Sequence, residues 1–285
     1  ALSFVLSACG SSSSDSGSDS NAQGQEGVLA PYDASKAGGT LTLVAKGAAG
    51  TLDPHINYTL QFWQLYQATY DGLLAFRKVD GPKSFETVPD LAEALPELSD
   101  GGKTLTFTLR KGIKFSDGRD VTVNDVKASF ERIFKVLSPT AGGFYNGIVG
   151  ADACLANPAT CKLDQGVIVD PATNKIEIKL TAPDATINYK LSLPHAVILP
   201  ADAPSKDAGT TPIPTTGPYM FASYDPNKEL KMVRNPNFTE WNREAQPAGY
   251  PDEIVYQFGL TAEAQVNAIK NGQADWMLDP IPADR

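Results

Sequence analysis

The stretch KTLTFTLRKGIKFSDGRDVTVNDVKASFERIF, residues 103–134, decides the fold class. Its first half alternates. Leu105, Phe107 and Leu109 point one way and Thr104, Thr106, Thr108 and Arg110 the other, which is the period of a half-buried strand. Lys111-Gly112 interrupts the strand, Ile113-Lys114-Phe115 resumes it, and Ser116-Asp117-Gly118 supplies the residues of a tight turn. The period then changes. Thr122 followed by Asp125 reads as a helix N-cap with an acid at N3, and behind it Val126, Phe130 and Ile133 share one face, with Val123 and Phe134 beside them. A meander feeding an amphipathic helix predicts a mixed α/β (α+β) domain.

On the N-terminal side, residues 40–46 read as a strand, 51–56 as a loop, and 57–76 as a helix with Leu60, Trp63, Tyr66, Gln67 and Tyr70 along its core side. On the other side, 166–170 and 175–180 read as strands joined by a turn at 171–174, and 185–193 as a short helix ended by Pro194. Residues 200–216, rich in Pro, Thr, Gly and Ala, read as a long crossing loop. Residues 221–233 resemble a hairpin and 253–258 a strand. Thr261 then caps a helix through Ala264, Val266, Ile269 and Lys270, stopped by Asn271-Gly272. Without a regular βαβ rhythm, these elements point to several sheets.

The composition narrows the function. With 24 basic and 33 acidic residues the formal charge is -9, which disfavours nucleic acid and polybasic membrane binding. Leu6-Ser7-Ala8-Cys9 fits a bacterial lipobox, and residues 10–25, almost wholly Ser, Gly, Asp, Asn and Gln, read as a flexible tether. The apolar run before Cys9 is too short to span a bilayer. Cys154 and Cys161 in the loop CLANPATC suit an extracytoplasmic disulfide rather than two free thiols, a closure worth about 2–3 kcal/mol. No further Cys or His lies near them to make a metal site. The chain carries two histidines, His55 and His195, but no G-x-S-x-G, H-E-x-x-H or C-x-x-C arrangement. Residues 101–104, GGKT, lead into a strand where a phosphate loop needs a helix, and 116–120, SDGRD, lack the downstream ligands of a calcium loop. No enzyme is expected.

The central stretch also resembles the signature region of ABC-transporter solute-binding proteins of the peptide/nickel/dipeptide class, family 5. Six further runs agree in order: Gly38-Gly39-Thr40-Leu41, Leu52-Asp53-Pro54-His55, Tyr70-Asp71-Gly72-Leu73-Leu74, Pro89-Asp90-Leu91-Ala92, Thr216-Gly217-Pro218-Tyr219 and Gly272-Gln273-Ala274-Asp275-Trp276. The resemblance implies a two-lobed, periplasmic-binding-protein-like fold (type II, large class). Members of the class are longer, so it also implies that the chain carries most of the first lobe, with the second absent. The organisation expected is a signal-peptide remnant over 1–9 and a tether over 10–37. A first-lobe core subdomain would follow over 38–70 and 203–285, with a subdomain inserted over 71–202. Carried over by position, the ligand contacts are Tyr58 and Leu60, then Phe144 and Tyr145, then His195. The implied partners are a peptide ligand and an ABC permease and ATPase complex. The receptor would be a monomer, lipid-anchored on the outer face of the cell membrane, with no cofactor. A nickel chelate or an oligosaccharide is the alternative ligand, and a surface hydrolase or a structural lipoprotein the alternative class.

Cys9→Ala in the full precursor is expected to release the protein from membranes, checked by fractionation; unchanged retention would remove the lipid anchor from consideration.

Overall fold

A computed structural model of the chain describes residues 29–283, so Cys9 and residues 10–25 lie outside the described residues. In chain order the elements are β1 (Thr40–Val44), α1 (Leu60–Thr69), β2 (Leu74–Phe76), β3 (Thr87–Pro89), β4 (Glu97–Ser99), β5 (Thr104–Thr108), α2 (Val123–Lys135), α3 (Ala141–Phe144), α4 (Ala151–Ala156), β6 (Val167–Asp170), β7 (Lys175–Lys179), α5 (Ile187–Leu191), β8 (Tyr219–Asp225), β9 (Glu229–Arg234), β10 (Glu253–Gln257), α6 (Ala262–Lys270) and β11 (Trp276–Met277). They form a five-stranded sheet ordered β11-β1-β10-β9-β8, a four-stranded sheet ordered β4-β5-β7-β6, and the hairpin β2-β3. β1 runs parallel to both its neighbours, whereas the four-stranded sheet is antiparallel throughout.

The four-stranded sheet packs on α2. As the alternation predicts, Leu105 and Phe107 of β5 are buried against Phe130, Ile133 and Phe134 of α2 and Ile176 and Ile178 of β7. α2 opens with a capping box: the Thr122 N–H donates to Asp125 Oδ2 (2.8 Å), and the Asp125 N–H turns back to Thr122 Oγ1. This satisfies two donors that a helix start leaves free. Residues 113–115 form no strand. They fold back on themselves instead, with the Phe115 N–H bonded to the Arg119 carbonyl (2.8 Å) and the Val121 N–H to that of Ile113 (2.9 Å). Cys154 and Cys161 are bridged, closing the loop beside α2.

α1 departs from expectation. It starts at Leu60 rather than 57, because the Asn57 side chain accepts the Thr59 N–H (3.0 Å) and holds an Asx turn there. It ends at Thr69, where Tyr70 turns extended (φ -127°, ψ 152°), and just beyond it Gly72 passes close to the Leu74, Leu191 and Ala196 carbonyls, where a Cβ would sit at 3.1–3.3 Å. Its buried residues are Gln61, Phe62, Leu65, Tyr66 and Thr69. Leu60 and Gln67 therefore face outward, not toward the core, and Trp63 is half-buried.

Beneath α2 lies a buried ion pair. Arg132 meets Asp53 with two parallel bonds, Nη1 to Oδ1 (2.9 Å) and Nη2 to Oδ2 (2.5 Å). Both side chains are almost wholly shielded from solvent. Further hydrogen bonds surround the pair. Arg132 donates to the Pro204 and Lys206 carbonyls, and Asp53 accepts the His55 and Ala208 N–H groups. Removing one partner strands the other charge in the interior, so Arg132→Met is expected to destabilise the fold by about 3–5 kcal/mol. Urea denaturation checks this; a shift under about 1 kcal/mol would mean that Asp53 finds other compensation.

Candidate functional site

The carboxyl ends of the parallel strands β1, β10 and β11 lie at one end of the five-stranded sheet, and the loop leaving β1 crosses that end to reach α1. Open α/β sheets take their ligands at such an end. The loop is strongly tied down. Asn57 Nδ2 donates to the Ala49 and Thr51 carbonyls (2.9 and 2.7 Å), and His55 Nε2 lies 3.0 Å from the Val197 carbonyl. Tyr58 is thereby held at the surface with 52% of its area exposed, and Leu60 beside it is also exposed.

Three rings meet at this point. The Tyr58 ring packs edge-on to Trp63 (4.9 Å) and tilted over His195 (5.1 Å), while Trp63 contacts His195 at 5.4 Å. The Trp63 indole is fixed from the other side, its Nε1–H donating to the Asn57 carbonyl (3.2 Å). His195 is fully buried beneath the other two rings, yet neither of its ring nitrogens has a hydrogen-bond partner. Burial pushes its imidazole down to about 4, so near neutral pH the ring is uncharged, with one donor and one acceptor available. His55, bonded to Val197, is pushed down to about 3 by burial and by the Arg132 charge.

Of the residues the sequence singled out, Tyr58, Leu60 and His195 thus share one small region. Phe144 and Tyr145 belong to the core around α2. Tyr145 is fully buried, donates its hydroxyl to the Lys190 carbonyl (2.9 Å) and packs on Phe130, with half-buried Phe144 beside it. Burial, and then the Tyr58 hydroxyl, push the Tyr145 hydroxyl above its usual range. Trp63 is the site residue that sequence reading did not single out: it packs partly on the core, as expected, and with its exposed edge on Tyr58 and His195. Among the described residues no group of His, Cys, Asp and Glu is arranged to hold a metal ion. A neutral imidazole and a phenol backed by indole can hydrogen-bond amides and stack on flat groups, and they carry no nucleophile–base pair.

Comparison with known proteins gives the family and the fold. The profile of the bacterial extracellular solute-binding proteins, family 5 Middle, matches residues 86–285. The probable D,D-dipeptide-binding periplasmic protein DdpA of Escherichia coli (strain K12) is 30% identical over 244 residues, covering 82% of this chain and 42% of that protein. Di/tripeptide-binding protein 1 of Pseudomonas aeruginosa (strain UCBPP-PA14) is 26% identical, covering 86% of this chain and 45% of its own length. The chain therefore spans less than half the length of these curated relatives. Among solved structures, clavulanic acid biosynthesis oligopeptide binding protein 2 superposes with a TM-score of 0.72 at 29% identity, over 84% of this chain and 43% of that one. The Escherichia coli murein tripeptide binding protein MppA, at 24% identity and a TM-score of 0.67 over 83% of this chain and 45% of that one, shares the fold.

The depressed imidazole gives a signed prediction. Unfolded, His195 takes up a proton near its ordinary value of about 6.5; folded, it resists until about 4. Its contribution to stability is therefore whole above about 6.5 and lost as pH falls through that window, about 2 kcal/mol between pH 6.5 and 5. His195→Phe keeps a ring without the titration, so its melting temperature relative to wild type should climb steadily as pH falls over that range. Parallel melting curves would show that His195 is already charged or solvated.

Proposed function

Since the chain belongs to the bacterial extracellular solute-binding proteins of family 5, whose members bind solutes and are not enzymes, we propose that it supplies one wall of the cleft of a peptide receptor serving an ABC importer. The observation that carries this reading is the buried, unpartnered imidazole of His195 beneath the exposed ring of Tyr58. A buried polar group without a partner costs about 1–3 kcal/mol, and a ligand reaching it when Tyr58 turns aside would recover that energy. Peptides suit such a wall. Every peptide offers amide N–H and C=O groups to a neutral imidazole and a phenol, and stacking surface to Trp63. The printed names of the relatives, binders of D,D-dipeptides and of di- and tripeptides, favour the same class. No catalytic step is involved, and affinity comes from burial between two walls.

Within this reading Tyr58, Leu60 and His195 form the contact surface with Trp63 as its backing, and Phe144 and Tyr145 support it from behind. The receptor is anchored outside the cell through Cys9 and acts as a monomer. The segments 38–70 and 203–285 form its core subdomain, into which 71–202 is inserted.

Tyr58→Ala in the complete receptor is expected to weaken peptide binding by about 1–3 kcal/mol while leaving the melting temperature nearly unchanged, because half the side chain is already in water. Isothermal titration with a mixed peptide pool, beside a melting curve, measures both. Normal binding with lowered melting would make Tyr58 a packing residue. A wild-type receptor that ignores peptides but retains a nickel chelate or a sugar would keep the receptor class and overturn the ligand.

A further inference from the structure

Two carboxyl groups that take no part in the aromatic wall meet in the interior. Asp71 follows α1 and Asp90 follows β3; both are buried, and both line one small cavity. Asp71 also accepts the Thr216 hydroxyl (2.6 Å) and Gln246 Nε2 (2.6 Å), and Asp90 the Trp241 indole N–H (2.9 Å). Thr216, Trp241 and Gln246 come from the loops before β8 and between β9 and β10, which serve the five-stranded sheet. Asp90 is tied to the other sheet through its carbonyl, which accepts Arg110 Nε at the end of β5 (2.9 Å). The contact joins the two sheets.

Two carboxyls buried at one cavity favour a proton between them, since adjacent buried carboxylates repel. The surrounding charges do not remove that need. Among the described residues Lys78 is the ammonium that bears on the pair, and it also reaches Gln67 Oε1 (3.3 Å). Arg110 spends its Nε–H on the Asp90 carbonyl, and Arg77 pairs with Glu244 and Glu86. One ammonium balances one carboxylate. Burial lifts Asp71 to about 6, against the pull of its hydrogen bonds and Lys78. Burial and then the Asp71 charge push Asp90 well above the usual carboxylate range. The adjoining cavity, about 30 Å³, has room for about one water, and protons are the species the pair is suited to exchange there.

We propose that Asp71 and Asp90 hold a single proton between them and act as a latch joining the two sheets, closed while the proton is in place and loosened when the second carboxyl ionises. The latch bears on the aromatic wall. The Asp71 carbonyl accepts the Ile198 N–H (2.8 Å), Gly72 pairs with Val197, and the cavity is lined by Leu193 and Pro194, so the segment carrying His195 is built onto it. An effect of ionisation on peptide affinity rests on the reading of that wall as part of the cleft.

The Trp241 indole N–H reports on the latch directly. In the nitrogen-15-labelled complete receptor its resonance should shift as pH rises above neutrality, and should stay fixed in Asp90→Asn, where an amide stands in for the protonated acid. A resonance that moves only near about pH 4, with ordinary carboxylates, or stays still up to about pH 9, overturns the proposal. Melting curves give a second reading. An acid with a raised folded-state pKa loses stability as pH climbs from its ordinary value, so the advantage of Asp90→Asn over wild type should widen from about pH 4 to about pH 8. A constant offset also overturns the latch. Peptide affinity should fall over the range in which the indole titrates, in wild type alone. An indole that titrates with affinity unmoved would overturn the link to the cleft and leave the latch standing.

Discussion

The ion pair between Asp53 and Arg132 is the constraint on which the arrangement depends. An arginine in the interior must be met by a carboxylate in register, and its remaining N–H groups by carbonyls. Those demands bring three distant segments to one point: the loop leaving β1, helix α2, and the crossing loop at Pro204, Lys206 and Ala208. The turn that carries Asp53 also carries His55 and Asn57, which fix the route of the chain up to Tyr58. A surface aromatic group is thus positioned by a charge pair buried well behind it.

The chain is acidic, yet the Tyr58, Trp63 and His195 cluster carries no formal charge near neutral pH. Recognition by the proposed receptor wall would therefore be short-range. It depends on hydrogen bonds and ring contacts, with little electrostatic steering toward ligands of either sign. The buried titrating groups pull in opposite directions. Protonation of the two histidines opposes folding in acid, whereas Asp71 and Asp90, with raised values, favour it there. These tendencies partly cancel, which flattens the dependence of stability on pH across the mildly acidic range.

What was legible in the sequence was local. β5 reads off its alternation and α2 off Thr122 and Asp125, because strand period and capping chemistry act within a few residues. β2, β3 and β11 are three residues or shorter and have no period to detect; they exist because a partner strand lies beside them. The face of α1 was misjudged for a related reason. Leu60, Trp63 and Gln67 fall on one stripe wherever the helix begins, and which stripe is buried depends on the sheet α1 packs against, which local sequence does not place. Tyr58 and His195 came from resemblance by position, and nothing in the residues around them announced that their rings would touch. Tyr145 shows the limit of positional transfer, since its neighbour Phe144 is half-exposed while its own ring fills the core.

β1 sits in the middle of the five-stranded sheet, yet both its neighbours come from the far end of the sequence, residues 253–257 and 276–277. The β6–β7 hairpin, by contrast, closes across four residues, 171–174. Loop-closure entropy makes the β1–β10 contact about 3 kcal/mol harder to form than that hairpin. A chain emerging from its N-terminus therefore assembles the inner four-stranded sheet first and leaves β1 with bare N–H and C=O groups on both edges. The Tyr58, Trp63 and His195 cluster hangs from the loop after β1, so it is among the last parts of the molecule to become rigid. Pulse-labelled hydrogen exchange would see this order as late protection of the β1 amides.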